Sequence, residues 1–486
     1  MRRLCIHGHF YQPPREDPWT GLIRPQPSAM PFADWNQRIT AECYRPNGQA
    51  AILDASGDVA SRMNTYAYIS FNFGPTLLRW MSRSAPDVLQ RLVEADAMSQ
   101  ERLGFGNAMS QSYHHSILPL ANAEDKQTEV HWGIADFEHR FGRRPEGMWL
   151  PETAVDTATL EVLAAAGIQF VILAPRQAAA VKGPQDEAWL DVNADTIDTG
   201  RPYRVELPSG KHIAAFFYSP EPAQGVAFDG WLNNGESMAA RLSDRPEALV
   251  HFATDGESYG HHHRHGEMAL AYCLRTLAAD SELEITNYAS VLAAEPITHT
   301  ARIRENSSWS CAHGIGRWSE NCGCVIDPKR SGQQDWRRVL RTAMNALRDE
   351  VASFYVQRMH QLGEDPWDVR NRYIAHLIAQ ESGQPHADDP IPDGRFSAEL
   401  KGLLELQRHA LMMFTSCGWF FDDPGGLEAM QILRYAHRAI CLHEELGGAS
   451  LEPFFLDQID PLESMDLNLS GGSRLYEQHV VIAQDS

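Results

Sequence analysis

Up to about residue 300 the chain alternates short apolar runs with longer stretches of helical period. This alternation narrows the choice of fold more than any other feature, because a sheet wound through crossover helices satisfies it and few other architectures do. Leu4–His7, Ala67–Phe71, Gly147–Leu150, Phe170–Leu173, Ile213–Phe217 and Leu249–Ala253 are the predicted strands. Thr157–Ala166 reads as a helix with Leu160 and Leu163 on one face and Gly167 as its stop. Unusual residues gather where the predicted strands end: His7 and His9, Trp149 to Glu152, and Asp255 to His263. Parallel barrels and open α/β sheets carry their functional groups at the C-terminal strand ends, so the first part reads as a barrel with one rim in use.

After about residue 330 the strand signal fades, and Trp336–Leu362, Arg395–Phe414 and Leu427–Leu446 read as long amphipathic helices. Gln384–Arg395, with Pro385, Pro390 and Pro392 among Asp388, Asp389 and Asp393, reads as a surface loop. The expected fold is therefore α/β, a barrel over residues 1–305 followed by a helical domain over 306–486 that adds to the rim of the site.

Charge and composition exclude several classes of partner. Lys and Arg number 42 against 64 Asp and Glu, a net charge of −22, with no basic block to neutralise a phosphate backbone, so no nucleic acid is expected. Apolar residues at 43% suffice for a large core. The N-terminal Met1-Arg2-Arg3-Leu4 runs into polar, Pro-rich sequence without a signal-peptide core, and no apolar run is long enough to span a bilayer. With eight scattered cysteines, these features predict a cytoplasmic protein with reduced thiols and no membrane contact.

Two segments carry carboxyls on stiff strand exits. In Gly147-Met148-Trp149-Leu150-Pro151-Glu152 a Pro stiffens the exit before Glu152; in His251 to His263 an apolar strand runs into Asp255, with Gly256 and Gly260 allowing tight turns. Two carboxyls at two rim positions meet across a barrel mouth. A retaining glycosidase needs such a pair, one ionised to attack the anomeric carbon and one protonated to give its proton to the leaving oxygen. Trp149, Trp309 and Trp318 lie in or beside these motifs, and flat rings stack on sugar faces.

The order of the motifs resembles glycoside hydrolase family 57, whose members act on α-glucans by a retaining mechanism in an incomplete (β/α)7 barrel followed by a helical region. Five stretches carry the resemblance: His7 to Pro13, Gly106 to Pro119, Trp149 to Glu152, Asp255 to His261, and Ser307 to Gly314. The resemblance implies Glu152 as nucleophile and Asp255 as acid/base. It places His7, His9, His115 and His261 on sugar hydroxyls, lets Trp149, Trp309 and Trp318 shape the cleft, and makes Glu257 a tuner of Asp255 or a hydroxyl ligand. Gln12 would contact substrate, although Phe10 and Tyr11 separate it from His9 where well-studied members place Gln directly after His. The helical part, including Trp419 and Asp422-Asp423, resembles an uncharacterised domain found in one branch of the family. The implied activity is hydrolysis or transfer of α-glycosidic bonds, without cofactor.

Two other chemistries fit some of these residues. His7, His9, Asp255 and His261 to His263 offer metal ligands, as in metal-dependent α-mannosidase-like or deacetylase-like barrels. Against this, Glu152 has an evident role only in the two-carboxylate mechanism. A non-catalytic carbohydrate-binding protein is the remaining alternative, and such a protein would ordinarily have lost one of the carboxyls. Cys311, His313, Cys322 and Cys324 form a further candidate zinc group, but a Cys-x-His and a Cys-x-Cys fall outside the usual spacing of two to four residues, so reduced thiols in a tight loop and no metal are expected.

Overall fold

The computed structural model describes residues 1–328, 334–384, 386–391, 397–463 and 471–481. Two compact units emerge: residues 1–12, 25–112 and 137–305 form the first, and residues 13–24, 113–136 and 306–486 the second. Residues 13–24 and 113–136, assigned from sequence to the barrel, thus pack with the helical unit. The cause is visible in the side chains: Tyr113 and Trp132 are buried among Tyr355, Met359, Tyr373, Leu403 and Leu404.

In the first unit the parallel strands, in chain order, are β1 (Arg2–Phe10), β2 (Ser70–Phe73), β3 (Ser110–Gln111), β4 (Met148–Trp149), β5 (Phe170–Leu173), β6 (His212–Phe217) and β7 (Leu249–Asp255). β1 pairs with β7 on one side and β2 on the other. A bridge from Phe71 to Ala108 links β2 to the approach of β3, β3 pairs with β4, a bridge from Gly147 to Phe170 leads to β5, and β5 pairs with β6. Among the described residues no ladder joins β6 to β7, and a hydrogen bond from Ser219 N to His251 O, 2.8 Å, crosses that gap. The result is a seven-stranded ring open at one seam, the incomplete barrel that the resemblance implies. Its longer strands are near-continuous buried runs, as expected where helices cover the outside.

The winding departs from a regular β/α repeat between β5 and β6. There the chain forms Ala178–Lys182, Leu190–Asp191 and Tyr203–Glu206, which with His299–Ile303 extend the sheet beyond β6. β2 begins later than the predicted Ala67–Phe71 because Thr65–Ala67 turn as a 3-10 helix and Asn72 is accommodated inside by hydrogen bonds. The helix Thr157–Ala165 is capped by Asp156, whose side chain accepts from Thr159 N at 2.7 Å.

In the second unit the helices Trp336–Leu362, Pro366–Ser382, Ser397–Met412 and Leu427–Glu445 dominate. Pro366–Ser382 was not singled out by its sequence pattern, since its apolar residues are interleaved with Arg370, Arg372 and His376. Arg370 is buried and paired with Asp125 at 2.8 Å, with Gln407 accepting from the same nitrogen at 2.8 Å. Of the expected loop over Gln384–Arg395, Pro385 and residues 392–395 lie outside the described residues. No helix among the described residues is long and apolar enough to cross a membrane.

Candidate active site

Seven strand ends of the barrel converge on one rim. In parallel register His7 faces Ser70 and Ala253, and His9 faces Asn72 and Asp255, so β1 places two imidazoles on its inward face with β2 and β7 as flanks. Both are buried. Ser70 Oγ lies 3.0 Å from His7 Nδ1, and Asn72 Oδ1 3.0 Å from His7 Nε2. The Asn72 amide donates to Gln111 Oε1 at 2.7 Å and meets His9 Nδ1 at 3.0 Å. Gln111 Nε2 is the one buried amide nitrogen of this group without a hydrogen-bond partner among the described residues, and burial pushes each imidazole down to about 3. They are hydrogen-bonding groups and not cations at working pH.

Trp149 stacks on His7 at 4.8 Å and on His9 at 4.9 Å and is 0% exposed. It therefore braces the two histidines and does not offer a platform to a sugar, contrary to the role expected from sequence. The reason is its position on β4 itself, where an inward side chain fills the barrel, and not on the loop beyond.

Glu152 sits in the short link between β4 and the capped helix. It has φ 59°, and the following Thr153 has φ 51°, a left-handed pair without glycine. Such backbone costs of order 1 kcal/mol or more per residue and persists only where the surroundings hold it. Gln177, on the exit of β5, supplies the hold: its Nε2 donates to Thr153 O at 2.8 Å and its Oε1 accepts from Thr153 Oγ1 at 2.8 Å and from Ala174 N at 2.8 Å. Glu152 is half-buried.

Asp255 ends β7. Solvent reaches it from the open side, while protein atoms enclose the remainder of the carboxyl. That enclosure, with the neighbouring Glu152 carboxylate adding to it, pushes Asp255 up to about 7. Gly256 follows because a Cβ there would lie 2.2 Å from the Phe10 ring; close packing, more than turn geometry, requires the glycine. Glu257 is buried and points back under the site. It accepts from Tyr44 Oη at 2.5 Å and from Tyr11 N at 3.0 Å, and burial, assisted by Asp255, pushes it up to about 8.

The other expected residues are distributed as follows. Gln12 turns its amide onto the Tyr11 carbonyl at 3.0 Å, in line with the two-residue departure of its motif. His261 is half-buried with Nδ1 2.5 Å from Glu42 Oε2. His115, Trp309 and Trp318 belong to the second unit. There His115 is buried with φ 57° and Nδ1 2.7 Å from Ser416 Oγ, Trp309 is half-buried, and Trp318 is 0% exposed, which removes it as a cleft wall. Trp419 is likewise buried, and Asp422 accepts from the amides of Ile326 and Asp327 instead of starting a helix.

Sequence reasoning missed Asn72, Gln111, Gln177, Tyr44 and Tyr218. Tyr218 follows β6 directly, close enough to feel the Asp255 charge and, with opposite sign, Arg176. A signal existed for some of them: Asn72 is a lone amide in Phe71-Asn72-Phe73, and Arg176, Gln177 and Tyr218 are polar groups at strand exits, where function was already expected.

Among the described residues the one group of three or more His, Cys, Asp or Glu with converging ligand atoms is Cys311, His313, Cys322 and Cys324. The histidines of the barrel rim and Asp255 form no second group of this kind among the described residues. The rim instead offers two carboxyls close enough to interact, with Asp255 raised toward neutrality by its surroundings and by Glu152, beside the neutral imidazoles of His7 and His9.

A family model described as glycosyl hydrolase family 57 matches residues 33–302, and one described as a domain of unknown function (DUF3536) matches residues 333–485. Alpha-amylase 1 of Dictyoglomus thermophilum is 28% identical over 105 residues, 22% of this chain, and 4-alpha-glucanotransferase of Thermococcus litoralis is 21% identical over 192 residues, 40% of this chain. These matches span 15% and 26% of the relatives' own lengths. The solved exo-type maltose-forming amylase from Pyrococcus sp. ST04 has a similar fold, with a TM-score of 0.71 and 15% identity over 94% of this chain and 83% of that one. Since the first of the two family models covers more than half of the sequence, the chain belongs to glycosyl hydrolase family 57.

Proposed function

We propose that this protein is a retaining enzyme that hydrolyses or transfers α-glycosidic bonds of α-glucans or related oligosaccharides, with Glu152 as nucleophile and Asp255 as acid/base. One observation carries the reading: Asp255 is raised to about 7 in part by Glu152, so the two carboxyls share a site in which one is charged and the other can hold a proton. In the first step the Glu152 carboxylate attacks the anomeric carbon while Asp255 gives its proton to the departing oxygen, and the bond between that carbon and oxygen breaks. In the second, Asp255, now ionised, takes a proton from water or from a sugar hydroxyl, whose oxygen displaces Glu152 from the same carbon. Two inversions give net retention. His7 and His9 act as uncharged partners for hydroxyls or as supports of the rim, and Trp149 keeps them in place. The names of the matched relatives favour α-glucans as the substrate class.

The test is incubation of the full chain with a panel of α-glucans and α-linked oligosaccharides, following product anomers by proton NMR. The expected first product is the α-anomer, absent with Glu152→Gln, and slowed about 10²- to 10⁴-fold with Asp255→Asn. β-Anomers as first product, or full rate in either variant, would overturn the assignment; glucan binding without turnover by the wild type would favour the carbohydrate-binding alternative.

A further inference from the structure

We propose that Cys311, His313, Cys322 and Cys324 hold one zinc ion in a closed, structural four-ligand site of the helical unit. The four ligand atoms all lie within 4.8 Å of one another. Cys311 Sγ is 3.8 Å from both Cys322 Sγ and Cys324 Sγ, and Cys324 Sγ is 3.5 Å from His313 Nδ1. Around a tetrahedral zinc, with Zn–S about 2.3 Å and Zn–N about 2.0 Å, the sulfur–sulfur edge is about 3.8 Å and the sulfur–nitrogen edge about 3.5 Å. A disulfide would instead bring two sulfurs to about 2.05 Å. These three edges match a metal site and not a disulfide.

The backbone is shaped for the same purpose. Gly314, next to His313, has φ +78°, and Gly323, between Cys322 and Cys324, has φ +77°. A Cβ on Gly323 would meet nothing within 4 Å, so it is the left-handed backbone and not space that requires glycine there. With this turn at Gly323, the Cys-x-Cys hook holds Cys322 and Cys324 with both sulfurs 3.8 Å from Cys311 Sγ. The amides of His313 and Arg317 donate to Cys311 Sγ, and the amide of Ala312 donates to Cys324 Sγ. Amide donors of this kind surround thiolates bound to metal.

Charge points the same way. Arg317 and Arg337 are buried beside the cluster. Arg337 donates to the carbonyls of Cys324 and Trp419 and has Asp422 at 3.7 Å, whereas Arg317 Nε is buried without a hydrogen-bond partner and its guanidinium lies over the Phe420 ring. Three thiolates on a divalent ion carry one net negative charge and would balance this surplus. Soft sulfur ligands in tetrahedral array select zinc among common divalent ions, and four protein ligands leave no open position, so the role is structural. From Asn306 to Asp335 the described residues form no regular element longer than the 3-10 turn Gly316–Trp318. A metal cross-link is what would order such a segment.

The test is elemental analysis of the full chain, purified under reducing conditions without chelator. We expect about one zinc per chain, and cobalt exchanged into the site giving the intense visible bands of tetrahedral coordination with sulfur-to-cobalt charge transfer. Cys322→Ser combined with Cys324→Ser should lower zinc to less than about a tenth per chain, while Cys441→Ser, outside the cluster, keeps it. Wild-type protein from zinc-supplemented growth with neither zinc nor the cobalt spectrum would overturn the proposal, as would an intact mass two hydrogens short from a bond between cluster cysteines, or full metal in the double variant. The cobalt spectrum of the wild type decides the matter even if the double variant does not fold.

Discussion

Asp255 and Glu257, two residues apart, differ in what surrounds them and so in what a change of pH does. Asp255 is the rim carboxyl, and its proton is lost as pH rises through about 7. The rate of the glycosylation step should therefore fall on the alkaline side of neutrality, and replacing Glu152 by Gln should lower the Asp255 pKa by removing a neighbouring negative charge, measurable by NMR titration of labelled carboxyls. Glu257 lies beneath, with its folded pKa raised to about 8. A carboxyl that holds its proton more tightly when folded favours folding fully below its unfolded pKa, and that contribution is lost as pH rises through the folded value. Glu257→Gln keeps an acceptor for Tyr44 and cannot ionise, so its Tm should exceed the wild type's by about 2 °C or more near pH 9 while matching it near pH 5 in thermal unfolding. Both carboxyl positions were legible as acids on strand exits. Their difference was not, because it is set first by burial and then by Tyr44, Tyr11 and Glu152, none of which is next to either carboxyl in sequence.

At the scale of elements, the turn after β4 is held by the exit of β5. Gln177 makes three hydrogen bonds there, so Gln177→Leu would strand buried polar groups at a cost of about 1 to 3 kcal/mol and free the left-handed pair Glu152–Thr153 to relax. The expected result is a fall in kcat of at least about tenfold, larger than any change in KM, with Tm lowered and the fold retained by circular dichroism. Gly256→Ala should act similarly from the β7 side, since the added Cβ would press on Phe10. The apolar strands β1, β5, β6 and β7 were legible from their runs. β3, Ser110–Gln111, was not, because it is two residues long and polar: its side chains are inside by virtue of partners such as Asn72. Nor did periodicity reveal the hairpin strands between β5 and β6, where a helix is the ordinary crossover.

For the molecule as a whole, the chain passes between its two units five times, at residues 12, 24, 112, 136 and 305. Sequence composition shows only the last passage, where strand-rich gives way to helix-rich; the earlier ones depend on which core receives Tyr113 and Trp132, and hydropathy does not encode that. Trp132 is fully buried, and Trp132→Ala should cost about 3 to 5 kcal/mol through the cavity it leaves, read as a fall in the denaturant midpoint. A fragment ending at residue 305 would carry Trp132 and Asp125 without Tyr355, Tyr373 or Arg370, and is expected to be recovered as aggregate.

The same interleaving bears on inheritance. A module appended to the end of a gene can be exchanged by one crossover at the junction, and each partner still finds its own core. Here a crossover near codon 305 would pair one lineage's Tyr113 and Trp132 with another lineage's tyrosines and leucines around them. Such an exchange would part Asp125 from the Arg370 that pairs with it 245 positions downstream, so the stretch 113–136 and the helical part of the chain are expected to be exchanged together or not at all.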